Sequence, residues 1–367
     1  MPLKFVELKI SSSIVKKYLE QKLKRKINIL EYKRIGTGWH GTGYKVIFES
    51  NGKKEVIVLR TKRPEGFSHD YAADRAASFL LQHTIAKKLP KHNKSFDVVG
   101  IAKNKIVSIG NCNEFFHVVK LADGKLYMDE LIEIKNKKSI NSLDLEKANL
   151  LADYLSKIHN IAFLNKVRHK HKKALAKSIY RRHLRECIGH GEMLLGVFDT
   201  YPSKLAWTNK KEFVKIVNLA NELREGLKDN YHRLRYMHGD FHPGNIIFKG
   251  NDFMLLDASR ELYGEPADDL TTLGINYIWF SIMQNGDFSG NFKKLFLAFW
   301  NNYITKTKDY EINYFAPLFF AFRGVVVAHP LFYKEQSDGC RRKIFNFIVN
   351  VLNEKKFDVK KINSYLK

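Results

Sequence analysis

The sequence predicts an α+β protein with two lobes, a small one built on antiparallel strands and a larger one that is mainly helical. The chain has 367 residues, and single hydrophobic cores stop growing at about 250 to 300 residues. Strand-like runs concentrate in residues 1–121, whereas apolar residues recur at helical spacing through much of 122–367. We therefore expect an N-terminal lobe over 1–121 and a helical C-terminal lobe over 122–367.

The charge of the chain is strongly positive. Lys and Arg outnumber Asp and Glu by 63 to 38, which gives a formal net charge of +25. A positive surface favours anionic partners, which include nucleotides, phosphorylated metabolites, nucleic acid and acidic membrane surfaces. Charge alone does not choose among these partners.

Cysteines and hydropathy indicate a cytoplasmic protein. The three cysteines are scattered and form no C-x-x-C pair, so neither a disulfide framework nor a zinc ribbon is expected. The most apolar stretch, Tyr314 to Tyr333, is interrupted by Pro317, Arg323 and Pro330. We interpret it as a core helix and expect no membrane span.

The first lobe opens with a basic helix over Ser11–Lys26 and a strand over Ile29–Ile35. A glycine-rich segment follows, and β-type sequence from Tyr44 to Phe48 continues after it, so the glycines lie between antiparallel strands. Glycine lets backbone N–H groups approach phosphate oxygens closely. The segment is therefore a candidate nucleotide phosphate cover, with an ordinary hairpin as the alternative; its glycines are Gly36, Gly38, Gly41 and Gly43.

A third strand ends at Arg60, whose guanidinium can grip two phosphate oxygens at once. The predicted helix His69–Leu89 follows it. Asp70 favours the N-terminus of that helix, and Asp74, further along, is the candidate to orient Arg60. A solvated aspartate is the alternative for Asp74.

The remaining elements lead from strands into helices. Asp97–Ser108 and Glu114–Leu121 are predicted as two further strands that complete a small five-stranded lobe. Helical spacing begins at Asn141. The strongly basic run Asn165–Arg185 is either a solvated helical face or a surface that binds an anionic substrate or nucleic acid.

The most specific stretch of the sequence is Met237 to Leu270. Two short apolar runs around a Gly-Asn-Asp turn predict a hairpin. Closing that hairpin brings Asn245 and Asp257 together at its open end, and Asp240 on the preceding loop projects into the same space. Oxygen ligands of this kind suit magnesium held beside phosphates.

Three segments of this stretch resemble the aminoglycoside phosphotransferase and choline kinase superfamily, which has a protein-kinase-like fold. They are His238 to Asn245, Leu256-Asp257 and Gly264 to Leu270. Val58 to Arg60, with Asp74, resembles the N-terminal lobe of the same superfamily. The specific motifs occupy only residues 36–75 and 237–270.

The resemblance implies a two-lobed kinase that uses ATP and Mg²⁺. Asp240 is then the catalytic residue that accepts or orients the proton of the substrate hydroxyl. Asn245 and Asp257 hold magnesium, and the four glycines cover the nucleotide phosphates. His238 supports the catalytic loop, and Asp269 is the buried aspartate that braces it.

The sequence departs from the superfamily at Arg60, where lysine is usual, and at Asp74, because the matching helix has no glutamate in its first turns. Three alternatives remain: a protein kinase or pseudokinase, a metal hydrolase using the H-x-D-x-H pattern from His238 to His242, and a nucleic-acid-binding protein. We expect a small-molecule acceptor, and the basic run 166–185 favours an anionic one.

Overall fold

The computed structural model describes residues 10–38, 41–62, 69, 71–86, 95–102, 105–110, 122–168, 170–257 and 260–367. The chain divides into two compact units, Met1–Val119 and Lys120–Lys367. The first unit combines strands with two helices, and the second is mainly helical, so the protein is of the α+β class.

The first unit is organised around a meander of three antiparallel strands in which β2 is central. The Ser11 hydroxyl accepts a hydrogen bond from the Ile14 N–H and so caps the first helix. One face of the sheet packs on this helix through Val15, Val46 and Phe48. The elements are α1 (Ser12–Leu23), β1 (Asn28–Gly38), β2 (Gly41–Ser50), β3 (Lys53–Lys62), α2 (Ala72–Ala86), β4 (Val99–Ala102) and β5 (Lys105–Ser108).

The predicted five-stranded lobe is not confirmed, because the sheet of β1, β2 and β3 has three strands in the described residues. Asp97–Ser108 is not one strand but a hairpin of β4 and β5, and this pair forms a sheet separate from β1–β2–β3 in the described residues. Alternation of apolar and polar residues does not distinguish one long strand from two short ones that pair. The predicted strand Glu114–Leu121 lies outside the described residues.

The second unit is a helical assembly around α9. Every residue of α9 from Pro266 to Ile282 is buried, and α10, α11 and α12 pack around this helix. Its elements are β6 (Lys125–Leu126), α3 (Tyr127–Lys137), α4 (Ser142–His159), α5 (Phe163–Lys166), α6 (Lys172–Gly189), α7 (Leu194–Asp199), α8 (Lys210–Leu227), β7 (Arg235–Tyr236), β8 (Ile246–Lys249), β9 (Asp252–Leu255), β10 (Tyr263–Gly264), α9 (Pro266–Asn285), α10 (Gly290–Thr307), α11 (Ile312–Val327), α12 (Asp338–Glu354) and α13 (Ile362–Tyr365).

The predicted hairpin is present as β8 and β9, which pair antiparallel from Ile246 with Leu255 to Lys249 with Asp252. Two sets of hydrogen bonds fix the chain segments before and after this hairpin. The short pair of β7 and β10 joins the residues before the catalytic loop to those before α9. The buried Glu265 accepts hydrogen bonds from Arg233 and Tyr180, which fixes the start of α9.

No helix in the described part of the chain has the length and apolarity needed to cross a membrane.

Candidate active site

The first turn of α9 supports the loop from His238 to Asn245 through hydrogen bonds. Asp269 is fully buried, and its carboxylate accepts hydrogen bonds from the N–H groups of His238 (2.7 Å) and Gly239 (2.8 Å). Gly239 has a φ of +85°, and a Cβ there would lie 3.2 Å from the Cβ of Arg260. The loop therefore needs glycine at this position and a buried acceptor beneath it.

His159 and His238 complete the support of this loop. His159 Nε2 lies 3.2 Å from Asp269 Oδ2, and Nδ1 of the buried His238 accepts a hydrogen bond from the N–H of Asp240 at 3.3 Å. Burial by itself would raise the pKa of the Asp269 carboxyl. The hydrogen bond and charge of His159 and the N–H of His238 outweigh burial, so the pKa of Asp269 is lowered.

Asp240 is a mostly buried carboxylate with partners on both oxygens. Oδ1 accepts a hydrogen bond from Arg323 Nη1 at 2.6 Å, and Oδ2 lies 3.3 Å from Asn245 Nδ2 and 3.8 Å from His242 Nε2. Burial favours the neutral acid, but nearby positive charge, Arg323 foremost, lowers the pKa of Asp240 below its usual value. Asp240 is therefore ionised at neutral pH.

Arg323 on α11 is the residue that fixes Asp240, and the sequence interpretation did not assign it a function. Its guanidinium is buried, and besides Asp240 it donates to Asp268 Oδ1 at 2.6 Å and to the Gly239 carbonyl at 2.8 Å. The sequence did contain a signal. A single arginine within an apolar helix needs a buried carboxylate partner, since burying an unpaired charge is very unfavourable.

Asp268 links Arg323 to a second buried group, His183 on α6. His183 Nδ1 lies 3.4 Å from Glu261 Oε2, and its Nε2 lies 4.0 Å from Asp268 Oδ2. Burial opposes protonation of His183, but the hydrogen bond and charge of Glu261, with the charge of Asp268, raise the pKa of His183 above its usual value. A connected set of charges thus lies directly behind the catalytic loop.

His242 presents a neutral imidazole toward Asp240. Its Nδ1 accepts a hydrogen bond from the Gly244 N–H at 3.1 Å, which assigns the ring proton to Nε2. Burial and the charge of Arg323 lower the pKa of His242, although Asp240 acts in the opposite direction. An N–H donor therefore faces the carboxylate without adding charge.

Asn245 and Asp257 meet at the open end of the hairpin. The Leu256 N–H donates to the Asn245 carbonyl at 2.9 Å, so Asp257 directly follows the residue paired with Asn245. The Asn245 amide nitrogen donates to Asp240, which leaves Oδ1 of Asn245 to accept or coordinate. Asp257 has an exposed carboxylate and a φ of +54°.

This donor set fits a hard divalent cation such as magnesium, because it offers a carboxylate and an amide oxygen. The described residues contain no group of three or more His, Cys, Asp or Glu side chains arranged to hold a metal ion.

The predicted glycines lie on paired strands of the first unit. Gly36 pairs with Gly43 and Gly38 with Gly41 across β1 and β2, so the glycines belong to the ends of the two antiparallel strands instead of a loop between them. The two residues at the tip, 39 and 40, are outside the described residues.

The same register places Arg60 on β3 directly opposite Gly43, with its side chain exposed. The predicted pairing of Arg60 with Asp74 stays a prediction. The helix α2 begins at Ala72, later than predicted, so Asp74 lies in its first turn and accepts a hydrogen bond from the Tyr71 N–H at 2.7 Å. Asp70 is outside the described residues.

A second cation on β3, Lys62, contacts α2 through Ser78. Its Nζ lies 2.5 Å from Ser78 Oγ and 3.0 Å from His69 Nε2. Lys62 is two positions after Arg60 and so on the same face of the strand. Because side chains alternate between the two faces of a strand, the sequence itself indicates that Lys62 shares a face with Arg60.

A cavity of about 630 Å³ opens beside Asp240, within the second unit. Its wall is mainly apolar and comes from α3, α7, α9, α11 and the segment after α11, with Trp279, Phe322 and Tyr333 among the aromatic residues. Asp240, His242 and Arg323 contribute to the same wall. The catalytic loop therefore faces a space large enough for a drug-sized molecule.

The basic run 166–185 contributes no residue to the described wall of this cavity. Several of its cations are engaged elsewhere: Lys177 and Arg181 pair with Asp229, and Arg182 Nε lies 3.1 Å from Glu261 Oε1. The anionic acceptor predicted from this run stays a prediction that rests on composition.

Comparison with protein families supports the resemblance drawn from the motifs. Residues 148–295 match the model of the APH phosphotransferase enzyme family. The matched range includes Asp240, Asn245, Asp257 and Asp269, whereas the glycine segment and Arg60 lie before it. A comparison with curated proteins finds no match.

The solved structures that match this chain are distant from it in sequence. An amicoumacin kinase, hAmiN, in complex with AMP-PNP, Ca²⁺ and amicoumacin is 11% identical, with 94% of this chain and 96% of that chain covered and a TM-score of 0.40. A thermostable mutant of the aminoglycoside phosphotransferase APH(4)-Ia with ADP and hygromycin B is 13% identical, with 92% and 98% covered and a TM-score of 0.37. A choline kinase from Cryptosporidium parvum is 11% identical, with 97% and 92% covered and a TM-score of 0.30. These values assign no residue role and no substrate to this chain.

Proposed function

We propose that this chain, whose residues 148–295 match the phosphotransferase enzyme family, is an ATP-dependent kinase that transfers the γ-phosphate to a hydroxyl group of a small molecule. The observation that carries the proposal is the position of Asp240. It is an ionised carboxylate, fixed by Arg323, on the wall of a cavity large enough for a small molecule.

Asp240 orients the acceptor hydroxyl in this mechanism and takes its proton. A carboxylate with a lowered pKa is a weak base, so the proton moves late, after the bond to phosphorus has largely formed. Phosphoryl transfer suits such a group because its transition state is loose and catalysis depends on positioning. Arg323 and the neutral His242 hold the carboxylate in one orientation.

Asn245 and Asp257 are the residues that would hold Mg²⁺ against the nucleotide phosphates. The cation, when bound, neutralises charge on the transferred group. In the first unit, Gly36, Gly38, Gly41 and Gly43 cover the phosphates, and Arg60, opposite Gly43, contacts them. Asp269 braces the catalytic loop through the two N–H groups that it accepts.

The test is a nucleotide-dependent phosphorylation screen against a metabolite library with Asp240→Ala as the blank. We expect an acceptor whose turnover falls by about 10²- to 10⁴-fold in that variant, the usual contribution of a positioned base. Asp252→Ala is the matched control, because Asp252 is an exposed aspartate at the turn of the β8–β9 hairpin. Equal turnover in Asp240→Ala and wild type would remove Asp240 from the catalytic role.

A further inference from the structure

We infer that the acceptor is a neutral hydroxyl compound with an aromatic or polycyclic apolar body, bound in the cavity beside Asp240. The inference rests on the proposed function and adds the substrate class. It follows from three properties of the cavity: the chemistry of its wall, the balance of its charges and its size.

The wall is built from side chains that bind apolar surface. The apolar side chains that expose surface to it are Ile132 of α3, Val326 of α11, Phe332 and Tyr333, and Trp279 of α9 is 7% exposed. Trp279 and Tyr333 are packed edge to face, with ring centroids 4.9 Å apart. Rigid aromatic walls of this kind contact flat ring systems at little cost in conformational entropy.

Two polar groups of these residues are already engaged within the protein. Trp279 Nε1 donates to Gln336 Oε1 at 3.2 Å, and the Tyr333 hydroxyl donates to Asn276 Oδ1 at 3.4 Å. Their ring surfaces therefore remain as the contribution to a ligand.

The charges on the described wall do not favour a cationic acceptor. Four cations, Lys135, Arg260, Arg323 and Lys334, face three carboxylates, Glu192, Asp240 and Glu335. Asp240 forms an ion pair with Arg323, and the side chain of Glu192 is 72% exposed.

One aromatic ring of the wall, Phe322, also lies close to two protein cations. The guanidinium carbons of Arg260 and Arg323 lie 5.6 Å and 4.5 Å from the ring centroid of Phe322. An aromatic face that already interacts with two cations offers little attraction to an ammonium ligand. The Phe322 ring therefore adds little to the binding of a positive charge.

The volume of the cavity also favours an acceptor with a large apolar body. A volume of about 630 Å³ equals that of about twenty water molecules at ~30 Å³ each. A compound of a few carbon atoms would leave most of the apolar wall in contact with water. A polycyclic alcohol would cover that wall and gain the hydrophobic contribution.

The reaction balances without a further reactant. The hydroxyl oxygen of the acceptor forms a bond to the γ-phosphorus while the bond from that phosphorus to the β–γ bridging oxygen breaks. The hydroxyl proton passes to Asp240, and a nucleoside diphosphate leaves. The product is the phosphate monoester of the alcohol.

The first measurement is binding of the neutral naphthalene fluorophore prodan, which does not depend on catalysis. Ile132→Lys and Phe332→Ala change wall residues that are 37% and 55% exposed, so the fold tolerates both. The matched controls are Leu143→Lys and Leu331→Ala, which are 37% and 56% exposed and lie off the described wall. We expect about tenfold weaker binding in the two wall variants, equivalent to ~1.4 kcal/mol, and wild-type binding in the controls.

The second measurement is ATP-dependent phosphorylation of naphthylethanol and tryptophol against choline, glycerol and hygromycin B. We expect transfer to the aromatic alcohols, with a higher KM for the alcohol and an unchanged KM for ATP in Ile132→Lys. Transfer to choline or hygromycin B, without prodan binding or transfer to the aromatic alcohols, overturns the acceptor class but leaves the kinase. Site-dependent prodan binding without transfer to any compound supports the apolar site and overturns the proposed function.

Discussion

Replacing Arg323 by methionine should separate the positioning of Asp240 from the stability of the second unit. Arg323 donates to Asp240 at 2.6 Å, to Asp268 at 2.6 Å and 3.0 Å, and to the Gly239 carbonyl at 2.8 Å. Methionine has a similar length and no charge, so Arg323→Met leaves Asp268 buried without its main partner. Breaking a buried ion pair in this way costs about 3 to 5 kcal/mol of unfolding free energy.

The same variant should lower activity through the pKa and the orientation of Asp240. Arg323 is the leading influence that offsets burial at this carboxyl, so its removal raises the pKa of Asp240. In the wild type, Asp240 stays ionised until the pH falls below the ordinary aspartate pKa of about 3.9. It should therefore produce no acid limb in the pH profile of activity near neutrality. In Arg323→Met the acid limb of kcat/KM should move upward in pH, and kcat should fall by about 10²-fold, the usual effect of a misplaced catalytic group.

The double variant Arg323→Met/Asp268→Asn distinguishes the two effects. It removes both charges of the buried pair, so unfolding by urea should show most of the lost stability restored. Asp240 still lacks its donor, so kcat should stay low and the acid limb should stay shifted. Arg323→Lys keeps a positive charge and should restore part of the pH profile. Wild-type kcat in the double variant, or a wild-type pH profile in Arg323→Met, would refute the positioning role.

Three further predictions concern the metal, the phosphates and a buried histidine. Asp257→Asn should weaken binding of the magnesium-nucleotide complex by about tenfold or more in calorimetry, whereas the exposed Asp252→Asn in the same hairpin should not; equal affinities would count against the metal site. Arg60→Met should raise the KM for nucleotide relative to Lys54→Met, another exposed cation on β3; an unchanged KM would separate Arg60 from the phosphates. The raised pKa of His183 means that its contribution to stability is fully present below its unfolded pKa of about 6.5 and is lost as pH rises through the folded pKa. His183→Gln should therefore flatten the dependence of unfolding free energy on pH, and an unchanged dependence would contradict the assignment.

The geometry of the candidate loop from Asp240 to Asn245 can be predicted from the sequence because it is local. Asp240 and Asn245 are five positions apart on one loop, and the hairpin that follows brings Asp257 back beside Asn245 through a single pairing register. The residue types are also restricted, since magnesium and phosphate chemistry need oxygen ligands. Short-range spacing and a narrow choice of side chains together identify this part of the site.

Arg323 was not assigned a function because its role depends on tertiary packing. It lies 83 positions after Asp240, and its contact exists only because one side of α11 meets the loop and the start of α9. The helix α3, Tyr127–Lys137, is not among the predicted elements, although Tyr127, Leu131 and Ile134 are buried at helical spacing. The helix α2 begins at Ala72 instead of the predicted His69, because helix boundaries are poorly specified by sequence.

The wall of the cavity beside Asp240 could not be recognised in the sequence, for a different physical reason. A catalytic carboxylate stands out from an apolar core, but an apolar binding wall has the same composition as that core. Trp279 and Phe280 are neighbours on α9, and both are almost fully buried, at 7% and 0% exposure. The packing of α3, α9 and α11 leaves a space beside Trp279, whereas side chains fill the core elsewhere. The reaction of such an enzyme can therefore be predicted from a few polar residues, whereas its substrate must be inferred from the space that the apolar residues leave open.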